Sequence, residues 1–169
     1  MTDLPPVWLL DVDGVINVNK PAWHAAPNTS RARDNGTEWR IRWAPQLIAR
    51  IRALHRSGLA EVRWCTTWCS QADQLERIFH LPPLGRAFEG TPRGIHCSAA
   101  KLQAARAVIA EGRSLIWTDD DEVPTSGPVF DELTAGGRAL LIRPDSRDGL
   151  RPEHMDEIEA FCGAPASVA

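Results

Sequence analysis

Three places in this 169-residue chain put oxygen-rich side chains directly after a short apolar run. Val7-Trp8-Leu9-Leu10 ends in Asp11-Val12-Asp13-Gly14, Val62-Arg63-Trp64-Cys65 ends in Thr66-Thr67, and Leu115-Ile116-Trp117-Thr118 ends in Asp119-Asp120-Asp121-Glu122. Two carboxylates at i and i+2 past a strand divide their roles after a tight turn. Asp11 can attack an electrophile while Asp13 gives and takes a proton. Gly14 permits the backbone geometry that brings both over one site. A carboxylate attacking a phosphate monoester meets like-charge repulsion, so the site needs a divalent cation and an ammonium. Asp119 and Asp120 offer the oxygen ligands that Mg²⁺ prefers. The ammonium candidate is Lys101, because only Lys20 and Lys101 among the 19 basic residues are lysines.

The elements around these residues alternate. The apolar runs at 7–10, 61–66 and 114–118 read as buried strands of a parallel sheet, with a fourth strand at 138–142. Residues 44–57 read as a helix: Pro45 suits its first turn, Leu47, Ile48, Ile51 and Leu54 form one stripe, and Gly58 stops it. Further helices are expected over 70–79, capped by Ser70, over 98–112, capped by Ser98, and from Pro152 to about Cys162. A helical turn is expected at 130–133 and a short strand near Ala87-Phe88. This order predicts an α/β fold, a Rossmann-like three-layer sandwich with a mostly parallel central sheet and right-handed crossovers. In such folds ligands lie beyond the carboxyl ends of the strands, where the acidic and threonine residues stand.

Residues 15–43 interrupt the alternation. Trp39, Ile41 and Trp43 alternate with Arg40 and Arg42, which predicts one strand of a small β-hairpin flap. Val15-Ile16-Asn17-Val18 is the expected partner, and Asn28–Thr37 is expected to be a loop. Arg40 and Arg42 share one face of the flap, read as a solvated face that could also meet an anionic substrate. Arg86 and Arg93 stand in a loop on the same side as the strand ends. Trp68 is read as a packing residue, with stacking on a substrate ring as the alternative, and His96 as a surface residue.

Composition narrows the class. Hydrophobic residues make up 43% and charged residues 24%, with a net charge of −3, which excludes a disordered or duplex-coating basic protein. The four cysteines at 65, 69, 97 and 162 have no Cys-x-x-Cys spacing and are expected to be reduced and mostly buried. No apolar run approaches a membrane span and the first residues do not read as a signal peptide, so a cytoplasmic location is expected. The expected organisation is one domain over 1–163, with the flap at about 15–43 and a frayed tail at 164–169.

The four motifs, in order Asp11-Val12-Asp13-Gly14, Thr66, Lys101 and Asp119-Asp120, resemble the haloacid dehalogenase (HAD) superfamily over residues 7–122. The second motif, Trp64-Cys65-Thr66-Thr67-Trp68, and the closing stretch Asp148-Gly149-Leu150 are similar to the small capless HAD domain of RNA-repair proteins. The resemblance implies a phosphatase with Asp11 as nucleophile, forming an aspartyl-phosphate, and Asp13 as general acid and base. It implies Mg²⁺ held by the Asp11 carboxylate, the Asp13 backbone carbonyl and Asp119, with Asp120 assisting. Thr66 or Thr67 would bind the phosphoryl group and Lys101 would pair with Asp11 and phosphate. The substrate would be a phosphorylated small molecule, protein or nucleic-acid end. A non-catalytic metal- or phosphate-binding module is the competing reading, against which the acid at position 13 argues.

Overall fold

A computed structural model describes residues 4–163. Seven strands and five helices follow one another as β1 (Val7–Leu10), β2 (Asn28–Asp34), β3 (Thr37–Trp43), α1 (Pro45–Arg56), β4 (Glu61–Trp64), α2 (Ala72–Phe79), β5 (Gly85–Arg86), α3 (Ile95–Ala110), β6 (Leu115–Thr118), α4 (Pro128–Thr134), β7 (Ala139–Ile142) and α5 (Pro152–Gly163). Five strands form one parallel sheet in the order β5-β4-β1-β6-β7, and β2 and β3 form a separate antiparallel hairpin.

Burial on both faces explains why β1 is apolar throughout instead of alternating. Trp8 and Leu10 enter one core with Leu47, Ile51, Leu75, Phe79, Met155 and Ile158, from α1, α2 and α5. Val7 and Leu9 enter the other with Ala104, Ala105, Val108 and Leu133, from α3 and α4. The two cores on either side of one sheet make the α/β three-layer sandwich that the alternating pattern predicts. Its middle strand is β1, so the chain just past Leu10 lies between the ends of β4 and β6. That topology gathers the three polar strand ends.

The hairpin differs from expectation in its first strand. β3 pairs with Asn28–Asp34, in register Ser30↔Ile41, Ala32↔Trp39 and Asp34↔Thr37. The two connecting residues, Asn35 and Gly36, both have positive φ, as a two-residue hairpin turn requires. Val15–Val18 is instead a tight turn: the amides of Val15, Ile16 and Asn17 all donate to the Val12 carbonyl. Its apolar side chains are buried as core contacts of that turn. One face of the hairpin, with Ala32, Ile41 and Trp43, packs into the first core, where Trp43 meets Phe79 edge to face at 5.1 Å. Gln74 on α2 ties the flap down through both ends of its carboxamide, accepting from the Arg33 amide and donating to the Arg33 carbonyl.

Smaller corrections concern element starts. A single 3-10 turn at Cys69–Gln71 precedes α2, and the Ser70 hydroxyl reaches Gln71 and Thr91 in place of capping. Helix α3 begins at Ile95, after Gly94 in a positive-φ conformation, and Ser98 lies inside its first turn with its hydroxyl on Glu122. The short strand falls at Gly85–Arg86, pairing with Arg63 and Trp64. The predicted tail at 164–169 lies outside the described residues. All four cysteines are free thiols, and three are buried. Among the described residues, no helix is long and apolar enough to cross a membrane.

Candidate active site

Asp11 follows β1, and its amide continues the sheet by donating to the Thr118 carbonyl at the end of β6. Its Oδ1 accepts the Val12 amide at 2.7 Å. Asp119 stands one residue past β6, fully buried, and its Oδ1 accepts the amides of Asp121 and Glu122 at 3.0 and 2.8 Å. Lys101 projects from the buried stripe of α3 formed with Cys97, Ala104, Ala105 and Val108. Its Nζ donates to Asp11 Oδ2 at 2.8 Å and to Asp119 Oδ2 at 2.6 Å. Residues separated by 90 and 18 positions along the chain therefore meet through one ammonium.

Asp120 completes the cluster. One carboxylate oxygen each from Asp11, Asp119 and Asp120 lies within 4.8 Å of the others, as a shared cation would require. The backbone at Gly14 makes room for it. Gly14 has φ +73°, and a Cβ there would collide with the Asp120 carboxylate. Asp121 and Glu122 do not join: Asp121 is paired with Arg143, and Glu122 accepts from Ser98.

Three carboxylates face one ammonium in a buried space. Burial pushes the Asp11 carboxyl up to about 7, the neighbouring Asp119 charge adding to the rise and Lys101 opposing it. Asp120 is raised by burial and then by Asp119. For Lys101, burial pulls downward but the two carboxylates outweigh it, so its pKa lies above the ordinary value and it stays protonated. A hard divalent cation fits this donor set: the oxygens are carboxylates, and they carry more negative charge than Lys101 balances.

Asp13 lies outside that cluster, and both oxygens of its carboxylate have partners of their own. Oδ1 accepts Asn17 Nδ2 at 2.7 Å, and Oδ2 accepts the Trp68 indole N–H at 2.9 Å. Both partners are additions to the sequence reading, since Asn17 is expected in a strand and Trp68 in packing. Trp68 is buried, so it packs and also orients an acid. Beside Asp13 opens a cavity of about 180 Å³, walled by Asn17, Thr67, Trp68 and, from flap and loop, Asp34, Trp39 and Arg93. Asp34 and Arg93 hold each other at 2.8 Å across it.

The two threonines separate by burial. Thr66 is wholly buried at the end of β4, its hydroxyl accepting the Trp68 amide at 3.4 Å, whereas Thr67 is half-buried and lines the cavity. Arg86 pairs with the buried Glu76 on α2 at 2.7 Å and belongs to neither the acidic cluster nor the cavity lining. His96 is exposed. A second glycine closes the site from behind. Gly149, at φ +68°, passes so near the Val15 carbonyl that a Cβ would collide with it, and the next amide, Leu150, donates to that carbonyl at 2.9 Å. The loop before α5 thereby braces the turn carrying Asp13.

A parallel sheet with an acidic cluster and a lysine gathered at its carboxyl edge is consistent with an HAD-type domain. Residues 7–155 match the family described as the HAD domain in Swiss Army Knife RNA repair proteins, and the chain belongs to that family. The family falls among the phosphatase-type hydrolases. No curated protein and no solved structure matches the chain.

Proposed function

We propose that the protein is a Mg²⁺-dependent phosphomonoester hydrolase that works through Asp11. The observation that carries this reading is the meeting of Asp11, Asp119 and Lys101 within hydrogen-bond distance, with Asp120 beside them and a second carboxylate, Asp13, two residues on and held by its own donors. Asp11, Asp119, Asp120 and the Asp13 carbonyl would hold the cation. When bound it would offset the charge of the phosphoryl group and of the attacking carboxylate.

The chain's own residues supply the rest. The Asp11 carboxylate attacks phosphorus, forming an O–P bond as the bond to the leaving oxygen breaks, and Asp13 gives that oxygen its proton. Asp13, now a carboxylate, takes a proton from water, whose oxygen attacks phosphorus and breaks the Asp11 O–P bond, releasing inorganic phosphate. Lys101 stabilises negative charge on the phosphoryl oxygens as it builds, and Thr66 and Thr67 bind the same group. The indole and carboxamide donors on Asp13 fix its carboxyl towards the leaving-group side, where the cavity opens.

The test is phosphate release from a panel of sugar phosphates, nucleotides, phosphopeptides and phosphorylated oligonucleotides. Turnover should require Mg²⁺, stop with chelator and be lost in Asp11→Asn. Turnover retained in that variant would refute the reading. A second reading, a phosphatase of polynucleotide ends acting with an RNA-repair partner, is favoured by the description of the matched family. It expects phosphorylated oligonucleotides to be the best substrates in the same panel. A binding module without catalysis expects Mg²⁺ to raise the melting temperature with no phosphate released.

A further inference from the structure

The hairpin has a second face, and two of its arginines have no carboxylate partner among the described residues. Arg40 and Arg42 project from β3 on the side away from Ile41 and Trp43, and across the strand pair they stand opposite Arg31 and Thr29. Together with Asn17, Val18, Asn19 and Ser146 they line a cavity of about 220 Å³. Neighbouring arginines are already occupied: Arg31 and Arg33 hold Glu38, Arg147 holds Asp145, and Arg151 holds Asp148. Arg40 and Arg42 have no carboxylate partner among the described residues. Arg40 reaches only Asn19 Oδ1, at 3.5 Å, and Arg42 Nε is buried without a hydrogen-bond partner.

Leaving a buried guanidinium N–H unpaired costs free energy, and two adjacent guanidinium groups repel each other, so the arrangement calls for an anion. Guanidinium forks match phosphate oxygens, and the amide and hydroxyl groups of Asn19 and Ser146 add donors. The cavity also adjoins the candidate active site. Asn17 is the shared wall: its Nδ2 donates to Asp13 and its Oδ1 accepts the Arg42 amide at 2.9 Å.

We propose that this cavity binds a second phosphate of the substrate, one held by Arg40 and Arg42 and not hydrolysed. The inference rests on the phosphomonoesterase reading, because it places both phosphates on one molecule. The second phosphate could be the internal phosphodiester of an oligonucleotide or the further phosphate of a small bisphosphate.

The experiment compares the wild type with Arg40→Gln/Arg42→Gln on p-nitrophenyl phosphate, a nucleoside 3′,5′-bisphosphate and a terminally phosphorylated single-stranded hexanucleotide. Turnover of p-nitrophenyl phosphate should change less than about twofold, while KM for the hexanucleotide rises by about tenfold or more with kcat retained. An equal rise for the bisphosphate assigns the site to any second phosphate, and a rise confined to the hexanucleotide assigns it to a phosphodiester. Arg40→Lys/Arg42→Lys should recover part of the loss. Binding of the labelled hexanucleotide, followed by anisotropy in chelator, gives a readout independent of turnover, with the double Gln variant again weaker by about tenfold. Unchanged hexanucleotide affinity and KM, no binding by the wild type, or an equal loss on p-nitrophenyl phosphate would overturn the inference. Absence of turnover by the wild type on every substrate would instead count against the hydrolase reading and leave the anisotropy result to decide this one.

Discussion

The indole N–H of Trp68 donates to Asp13 Oδ2 at 2.9 Å, joining residues 55 positions apart, and the Asn17 carboxamide holds the other oxygen at 2.7 Å. An acid that must first protonate a leaving group and then activate water gains from a single fixed direction. Trp68→Phe removes the donor and leaves a smaller ring in the core. It should lower kcat on the order of 10- to 100-fold with little change in KM, measured on folded protein below its somewhat lowered melting temperature. Asn17→Ala should act in the same direction. Steady-state kinetics on one generic phosphomonoester checks both, and an effect on KM alone would contradict the positioning role.

Gly14 lies where two constraints coincide, a positive φ and the Asp120 carboxylate directly over its α-carbon. Gly14→Ala should destabilise the fold by about 1–3 kcal/mol. It should also raise the Mg²⁺ concentration needed for half-maximal turnover, since the methyl displaces Asp120 from the other carboxylates. Denaturant titration and a metal titration read the two effects separately.

Glu76 is a structural acid. Buried on α2, it accepts from the Trp64 indole at 3.0 Å, the Leu84 amide at 2.9 Å and Arg86 at 2.7 Å, so it ties α2 to β4 and β5. Glu76→Ala strands three donors and should cost about 3 kcal/mol or more in urea unfolding. The variant protein that still folds should retain kcat.

At the opposite end of the strands from the acidic cluster, Glu61 bridges Arg63 and the buried Arg113. Burial pulls its pKa up, yet the two guanidinium donors outweigh it, and the net shift is below the ordinary 4.5. A carboxyl with a depressed folded-state pKa adds stability that is complete above the unfolded value and fades as pH falls through the folded one. Glu61→Gln should therefore lower stability at pH 7 by roughly 1 kcal/mol or less, as its partial exposure screens the pair. The difference in urea midpoint should narrow once pH drops below about 4.5.

What could be read in the sequence follows from local physics. β1, β4 and β6 are short apolar runs stopped by polar residues, and α1 has a clean stripe between Pro45 and Gly58. Once the strands are parallel and adjacent, Asp11, Thr66 and Asp119 must converge. β2 was hidden because Asn28–Asp34 contains one buried side chain, Ala32, and no apolar alternation. The Asn35-Gly36 pair, flanked by Asp34 and Thr37, was the local signal for it. Val15–Val18 imitates a strand because a tight turn that packs into the core needs the same apolar residues. Asn17 and Trp68 gain their roles only from contacts across the folded site, which no spacing rule reports, whereas the alternation of β3 already put Arg40 and Arg42 on one face and only their lack of a carboxylate partner needed the fold.

The most direct test is to quench the enzyme during turnover in acid and analyse its peptides by mass spectrometry. An acid-stable, base-labile phosphoryl adduct is expected on the peptide carrying Asp11, absent without Mg²⁺ and absent in Asp11→Asn. Steady turnover with no adduct on that peptide, or with the adduct on another residue, would contradict it.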